Sequence, residues 1–266
     1  MKSVSILGCG WLGLPLAKRF VQKGFAVKGS TTSEQKIPLL KEVKITPFLI
    51  DLDEDQVKGP VSEFLSNTEV LVLDIPPKLR GANKENFVQK IEQLVPFIEV
   101  SKIEKVLFVS STSVYGNQSG RVTEATMLCP DTESGRHLAQ VEKLLRSNPH
   151  FKTTVLRFGG LIGADRHPVK FLAGKQNVEN PEAPINFIHQ DDCIAIIEKI
   201  IETDCFGEIF NAVAPFHPSR KAYYTQKAFE LDLPLPKFSE EGENGKIIDS
   251  EKVISLLNHS FALDLY

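Results

Sequence analysis

The chain has 266 residues, 42% of them hydrophobic and 24% charged, with a formal net charge of −3. That length can bury a sizeable core, as one α/β domain with a small appended lobe or as two small domains. The charge balance gives no electrostatic case for a nucleic-acid or anionic-membrane partner, and no run approaches the roughly 18 apolar residues of a membrane span. Cys9, Cys129, Cys193 and Cys205 have no CxxC spacing and no clustering with histidine. The expectation is a cytoplasmic chain with reduced thiols and no bound metal.

Residues 3–24 predict a strand, a glycine turn and a helix. Val4, Ile6 and Leu7 make a short buried strand, and Gly8, Gly10 and Gly13 follow at GxGxxG spacing. Leu12, Leu16 and Phe20 then recur every four residues, one face of an amphipathic helix that stops at Gly24. In a dinucleotide-binding βαβ unit the first glycine makes the tight turn and the second lets the backbone approach the pyrophosphate. The third lets helix pack on strand, and the helix N-terminus faces the anion. Standing between strand and helix makes the motif specific. Trp11 and Leu12 lie inside it; Trp11 reads first as packing and second as a cofactor contact. Cys9 is expected to be small rather than reactive.

Further strands are predicted over 25–28, 46–50, 69–73, 106–109 and 153–156, with helices over 87–100 and 134–145. This alternation predicts an α/β fold with a doubly wound parallel Rossmann sheet over residues 1–163. Past Gly163 the alternation is lost, apart from a helix over 223–230. Residues 164–266 read mainly as a small C-terminal substrate lobe, with some segments returning to the Rossmann domain. Ligands in such sheets sit beyond the carboxyl ends of the strands. The expected cofactor contacts are therefore Gly8, Gly10, Gly13, Ser30, Thr31, Thr32, Asp51, Ile75, Pro76, Ser110, Phe158, Gly159 and Gly160, beside Trp11 and Leu12. An NAD-selective site usually carries Asp or Glu after the second strand. Here that stretch is Gly29-Ser30-Thr31-Thr32-Ser33 with Lys36 beyond it. Hydroxyls and an ammonium suit a 2′-phosphate, so NADP(H) is expected, with NAD(H) left open if the stretch is only a turn.

The segment Val109-Ser110-Ser111-Thr112-Ser113-Val114-Tyr115-Gly116 resembles the SS-x-x-VYG motif of the extended short-chain dehydrogenases/reductases, the NAD-dependent epimerase/dehydratase relatives. Leu156-Arg157-Phe158-Gly159-Gly160-Leu161-Ile162-Gly163 resembles their LR-x-x-x-x-YG segment, and Asn186-Phe187-Ile188-His189-Gln190-Asp191-Asp192 their FIHVDD stretch. Within that superfamily the chain is similar to the YeeZ-like atypical branch. The shared features are GWLG-x-PLA at the start, Ala-Pro-x-His-Pro at 214–218 and Lys-Ile-Ile-Asp at 246–249. The resemblance implies a nicotinamide cofactor and oxidoreductase or epimerase chemistry on a hydroxyl- or carbonyl-bearing metabolite, of which a sugar nucleotide is one kind. It leaves a homodimer open as the oligomeric state.

The resemblance also implies a catalytic Ser, Tyr and Lys. Ser111 matches the serine, but Ser134 stands at the tyrosine position and Leu138 at the lysine position. A serine hydroxyl cannot serve as an acid/base near pH 7 without a neighbouring base. Tyr115 and His137 are the candidate replacements, with Arg136 beside them. The alternative is an NADP(H)-binding sensor with impaired catalysis. A β-hydroxyacid dehydrogenase, suggested by the glycines and Trp-Leu-Gly, is disfavoured by the 110–116 segment and the absence of a long all-helical C-terminal half. Arg166 and His167 read equally as substrate contacts or as an exposed loop. His189, Asp191 and Asp192 are expected to cap a helix rather than bind metal. His217, Tyr223 and Tyr224 could line a substrate pocket or form lobe core.

Overall fold

A computed structural model describes residues 2–77 and 85–262. Short runs rich in Val, Ile, Leu and Phe form seven strands that all pair in parallel: β1 (Ser3–Leu7), β2 (Ala26–Thr31), β3 (Thr46–Leu49), β4 (Val70–Leu73), β5 (Lys105–Ser111), β6 (Lys152–Phe158) and β7 (Ile209–Ala212). Their order is β7-β6-β5-β4-β1-β2-β3. Successive strand side chains point to opposite faces, so each strand serves two cores. Val70, Val72 and Leu107 pack with Val4 and Ile6 under α1 (Gly13–Gln22). Leu71, Leu73, Val106 and Phe108 pack under α2 (Phe87–Val100) and α3 (Glu133–Arg146).

The direction in which successive strands are added reverses about β1, which pairs with β2 on one side and β4 on the other. That is the switch point of a doubly wound sheet, where ligands bind.

A β2 longer than the sequence predicts and the segments that return from beyond Gly163 change what the sheet can hold. Strand β2 runs on to Thr31 because Ser30 and Thr31 pair with Phe48 and Leu49; they are strand residues rather than a free turn. Beyond Gly163 the sheet gains its edge strand β7, which pairs with β6. The same region supplies α4 (Gln190–Glu202), packed beside α1. The capping residue of α4 is His189, whose Nδ1 accepts the Asp191 N–H, rather than an aspartate. Asp192 instead lies against His259, 3.2 Å away.

A satellite core of Val169, Ile185, Tyr223, Tyr224 and Ala228 organises the C-terminal lobe around α5 (Arg220–Glu230). Phe187 meets Tyr223 edge-on at 5.2 Å. Both tyrosines are thus lobe core. Among the described residues no helix is long and apolar enough to cross a membrane, and no cluster of three His, Cys, Asp or Glu side chains could hold a metal ion.

Candidate functional site

The carboxyl ends of β1, β2, β3 and β4 surround a cleft of about 180 Å³. Its wall is the turn of Gly8, Cys9 and Gly10, followed by Ser30, Thr31, Thr32 and Lys36. Asp51 and its apolar neighbours Ile50 and Leu52 come next, then Asp74, Ile75 and Pro76, with Glu85, Phe87 and Lys90 from the start of α2.

The three glycines do different work. Gly8 has φ +108°, and a Cβ there would collide with the Asp74 carbonyl. A Cβ on Gly13 would collide with the Gly8 carbonyl. Those two are demanded by the fold. Gly10 is not: it is exposed, and a Cβ on it would meet nothing within 4 Å. Open space over a backbone segment is what an approaching diphosphate requires. Leu12, at the N-cap of α1, makes no side-chain cap; the Gly13 N–H instead meets the Asp74 carboxyl and the Leu14 N–H the Gly10 carbonyl, so the positive end of the helix faces the cleft side of the turn.

Around the turn, Ser30 Oγ accepts the Gly8 N–H at 2.9 Å, and Thr31 Oγ1 accepts the Ser33 N–H at 3.1 Å. Each hydroxyl keeps its own proton to donate. Thr32 and Lys36 are exposed on the same rim. Lys90, nearly buried, pairs with Glu85. Cys9 packs against Gly29, and burial pushes its thiol up to about 12. It is an inert space-filler.

Several sequence candidates lie away from this cleft. Leu12 is buried in the core under α1, so only its backbone can face a ligand. Trp11 is tied down: Nε1 donates to Asp165 at 2.7 Å, and the Arg166 guanidinium stacks 5.0 Å from its ring. Arg166 thereby gains a packing role. Phe158 is core, while a Cβ on Gly159 or Gly160 would press on Asn186 or the Phe187 ring. Ser110 is buried and donates to Glu142 at 2.6 Å.

Tyr115 is removed from the catalytic candidates. It is wholly buried; its hydroxyl donates to Asn211 at 2.8 Å and accepts from Arg157 at 2.7 Å. Arg157 in turn grips Glu142, with Nη2 to Oε2 at 2.6 Å. Ser110, Glu142, Arg157, Tyr115 and Asn211 form one interior network across β5, β6, β7 and α3. Burial raises the Tyr115 hydroxyl above its ordinary value, the wrong direction for an acid working near neutrality.

Ser111, at the end of β5, caps the 3₁₀ turn Thr112–Tyr115, accepting the Ser113 N–H at 3.2 Å. Its proton is free for a ligand. Ser134 and His137 are half-buried on the first turns of α3, and His137 Nδ1 is buried with no hydrogen-bond partner among the described residues. Leu138 is in the core under α2 and α3. Lys246 Nζ donates to the carbonyls of Thr112 and Gly116, pinning that turn to the C-terminal segment, and burial lowers its pKa.

No protein-family model matches the chain. The protein YeeZ of Escherichia coli strain K12 is 34% identical over 264 residues, covering 98% of this chain and 96% of YeeZ. The chain belongs to the YeeZ family. Its fold is that of the short-chain dehydrogenases/reductases. UDP-glucuronic acid 4-epimerase from Bacillus cereus, solved in complex with NAD, superposes with a TM-score of 0.81 at 18% identity, covering 98% of this chain and 92% of that one. A short-chain dehydrogenase/reductase superfamily protein from Agrobacterium tumefaciens with bound NAD superposes with a TM-score of 0.80 at 16% identity, covering 98% and 94%.

For this YeeZ-family chain, sequence reasoning missed Glu85, Phe87 and Lys90 as cleft residues. Asp74 had a signal, as the residue that follows β4 beside the glycine turn. Glu85 and Lys90 had none, because their position depends on how α2 enters the sheet edge.

Proposed function

We propose that the chain binds a nicotinamide dinucleotide, NADP(H) in preference to NAD(H), across residues 8–13, and acts as an oxidoreductase or epimerase on a hydroxyl- or carbonyl-bearing small metabolite. The observation that carries this is Gly10, a glycine that neither its φ nor its packing requires, set over open space beside the start of α1. When bound, the nicotinamide supplies hydride transfer. Gly8, Gly10 and the start of α1 hold the diphosphate, and the apolar slot of Ile50, Leu52, Ile75 and Phe87 takes the adenine. Thr31, Thr32 and Lys36 meet a 2′-phosphate, and Ser111 orients the substrate oxygen. The fold shared with a UDP-glucuronic acid 4-epimerase makes sugar-nucleotide-like metabolites the first substrate class to test. Four free thiols suit the reducing cytoplasm, and a homodimer belongs to the same reading.

Calorimetric titration with both cofactors tests the preference. NADPH is expected to bind about tenfold or more tighter than NADH, the worth of one charge-assisted contact, and Lys36→Glu is expected to erase the difference. Equal or tighter NADH binding refutes the preference.

A second reading, a dinucleotide-binding sensor, is favoured by one observation. The position of the family's lysine is filled by Leu138, inside the core, and the one nearby tyrosine is locked into a structural network. Turnover separates the two. As an enzyme, the wild type oxidises NADPH with a carbonyl substrate, and Ser111→Ala lowers the rate about 10²-fold. Tight, saturable NADPH binding without turnover on a panel of sugar-nucleotide and small carbonyl compounds selects the sensor.

A further inference from the structure

Asp74 follows β4 in the wall of the cleft, with its carboxyl against the turn that joins β1 to α1. A Cβ on Gly13 would lie 3.0 Å from Oδ2, and the Gly13 N–H faces the carboxyl. Asp74 therefore sits at the same helix end as the proposed diphosphate. No ion pair among the described residues includes it. Among the described residues the cations of the cleft are elsewhere: Lys36 on the β2 rim, and Lys90 held by Glu85. An ionised carboxylate here would repel the diphosphate and compete with it for the α1 N–H groups. A neutral carboxyl removes the repulsion, still accepts the Gly13 N–H through its carbonyl oxygen, and adds an O–H donor.

Resting on the dinucleotide reading of the cleft, we infer that Asp74 binds the diphosphate as a neutral acid, donating its carboxyl proton to a phosphate oxygen, so that cofactor affinity falls as pH rises. Desolvation supports this: burial pushes the Asp74 carboxyl up to about 8, with the Gly13 N–H opposing the shift in part. Among the described residues, the titratable groups around Asp74 are Cys9 from the turn, Cys193 from α4, Lys36 and Asp51 beyond β2 and β3, and Glu85 and Lys90 at the start of α2. Burial raises both thiols, Cys9 to about 12, so neither gains charge near neutrality.

The cofactor-free chain also reports on the carboxyl. An acid whose folded pKa lies above its unfolded value of 3.8 favours folding most at low pH. Its contribution is lost as pH climbs toward about 8. Asp74→Asn is thus expected to raise the melting temperature relative to wild type at pH 9 more than at pH 5.

The binding test is calorimetric titration of wild type and Asp74→Asn with NADH from pH 6.5 to 9.5, with NADPH in parallel. NADH has no phosphate monoester to titrate, and that of NADPH ionises near pH 6, below the range. Wild-type affinity should be level at the acid end, then fall about tenfold per pH unit above the midpoint, the slope of one linked proton. Asp74→Asn should bind within about threefold of wild type at pH 7 and show no slope. A flat wild-type profile, or an equal slope in Asp74→Asn, overturns the role of Asp74 and leaves the cofactor site standing. Absence of binding by both proteins to both cofactors at every pH overturns the dinucleotide reading, and this inference with it.

Discussion

Arg157→Ala is expected to destabilise the chain by about 3–5 kcal/mol, the cost of leaving one member of a buried ion pair without its partner. Arg157 and Glu142 are both almost fully buried. Removing the guanidinium strands the Glu142 carboxylate, whose remaining partner is the Ser110 hydroxyl, and takes one hydrogen bond from the Tyr115 hydroxyl. Replacing both charges together, as Arg157→Met with Glu142→Leu, is expected to recover most of the loss, because apolar substitutes for a buried pair are often neutral. Urea denaturation at pH 7 reads both. A cost below about 1 kcal/mol for Arg157→Ala would show that the network does not hold Tyr115, and would return that hydroxyl to the catalytic candidates.

The second large effect concerns the missing lysine. Leu138→Lys is expected to cost about 4 kcal/mol. A buried ammonium shifts its pKa down by about 3–5 units, and each unit is worth about 1.4 kcal/mol of differential interaction. Leu138 lies in the core with Val114, Val141 and Phe108, and carries little exposed surface. Ser134→Tyr, on a half-buried position, is expected to be far milder. Restoring the family pair therefore tests the fold before it tests the chemistry. A Leu138→Lys variant as stable as wild type would show that the lysine stem can lie along the core with its ammonium in water, and would reopen Tyr–Lys catalysis by the double variant.

Much of the sheet is legible in the sequence because strand and helix carry different hydrophobic periods. The stretch over 87–100 reads as a helix from Ile91, Leu94, Val95 and Ile98, and Phe87–Val100 is one. Strand ends are less legible. The reach of β2 to Thr31 and of β5 to Ser111 is decided by partners in other strands, Phe48 and Leu49 for one and Arg157 and Phe158 for the other. The edge strand Ile209–Ala212 has Asn211 within its short apolar run and takes its place from its pairing with β6.

The site divides the same way. The glycine turn and the hydroxyls after it are local in sequence, and the cleft contains Gly8, Gly10, Ser30, Thr31, Thr32, Lys36, Asp51, Ile75 and Pro76 together. Tyr115 misled because its burial comes from Arg157, 42 residues away, and Asn211, 96 residues away. No local pattern records such partners. Lys246 likewise gains its place by reaching Thr112 and Gly116 across the fold.

The central claim is that the open face over Gly10 receives a dinucleotide diphosphate, and titration of NADPH into wild type and Gly10→Val tests it most directly. A valine there enters empty space in the free chain, so its melting temperature should match wild type, while its side chain occupies the path of the diphosphate. Saturable one-to-one binding by wild type with a loss of about 10²-fold or more in Gly10→Val is the predicted result. Equal affinity in the two proteins would contradict the assignment of the site.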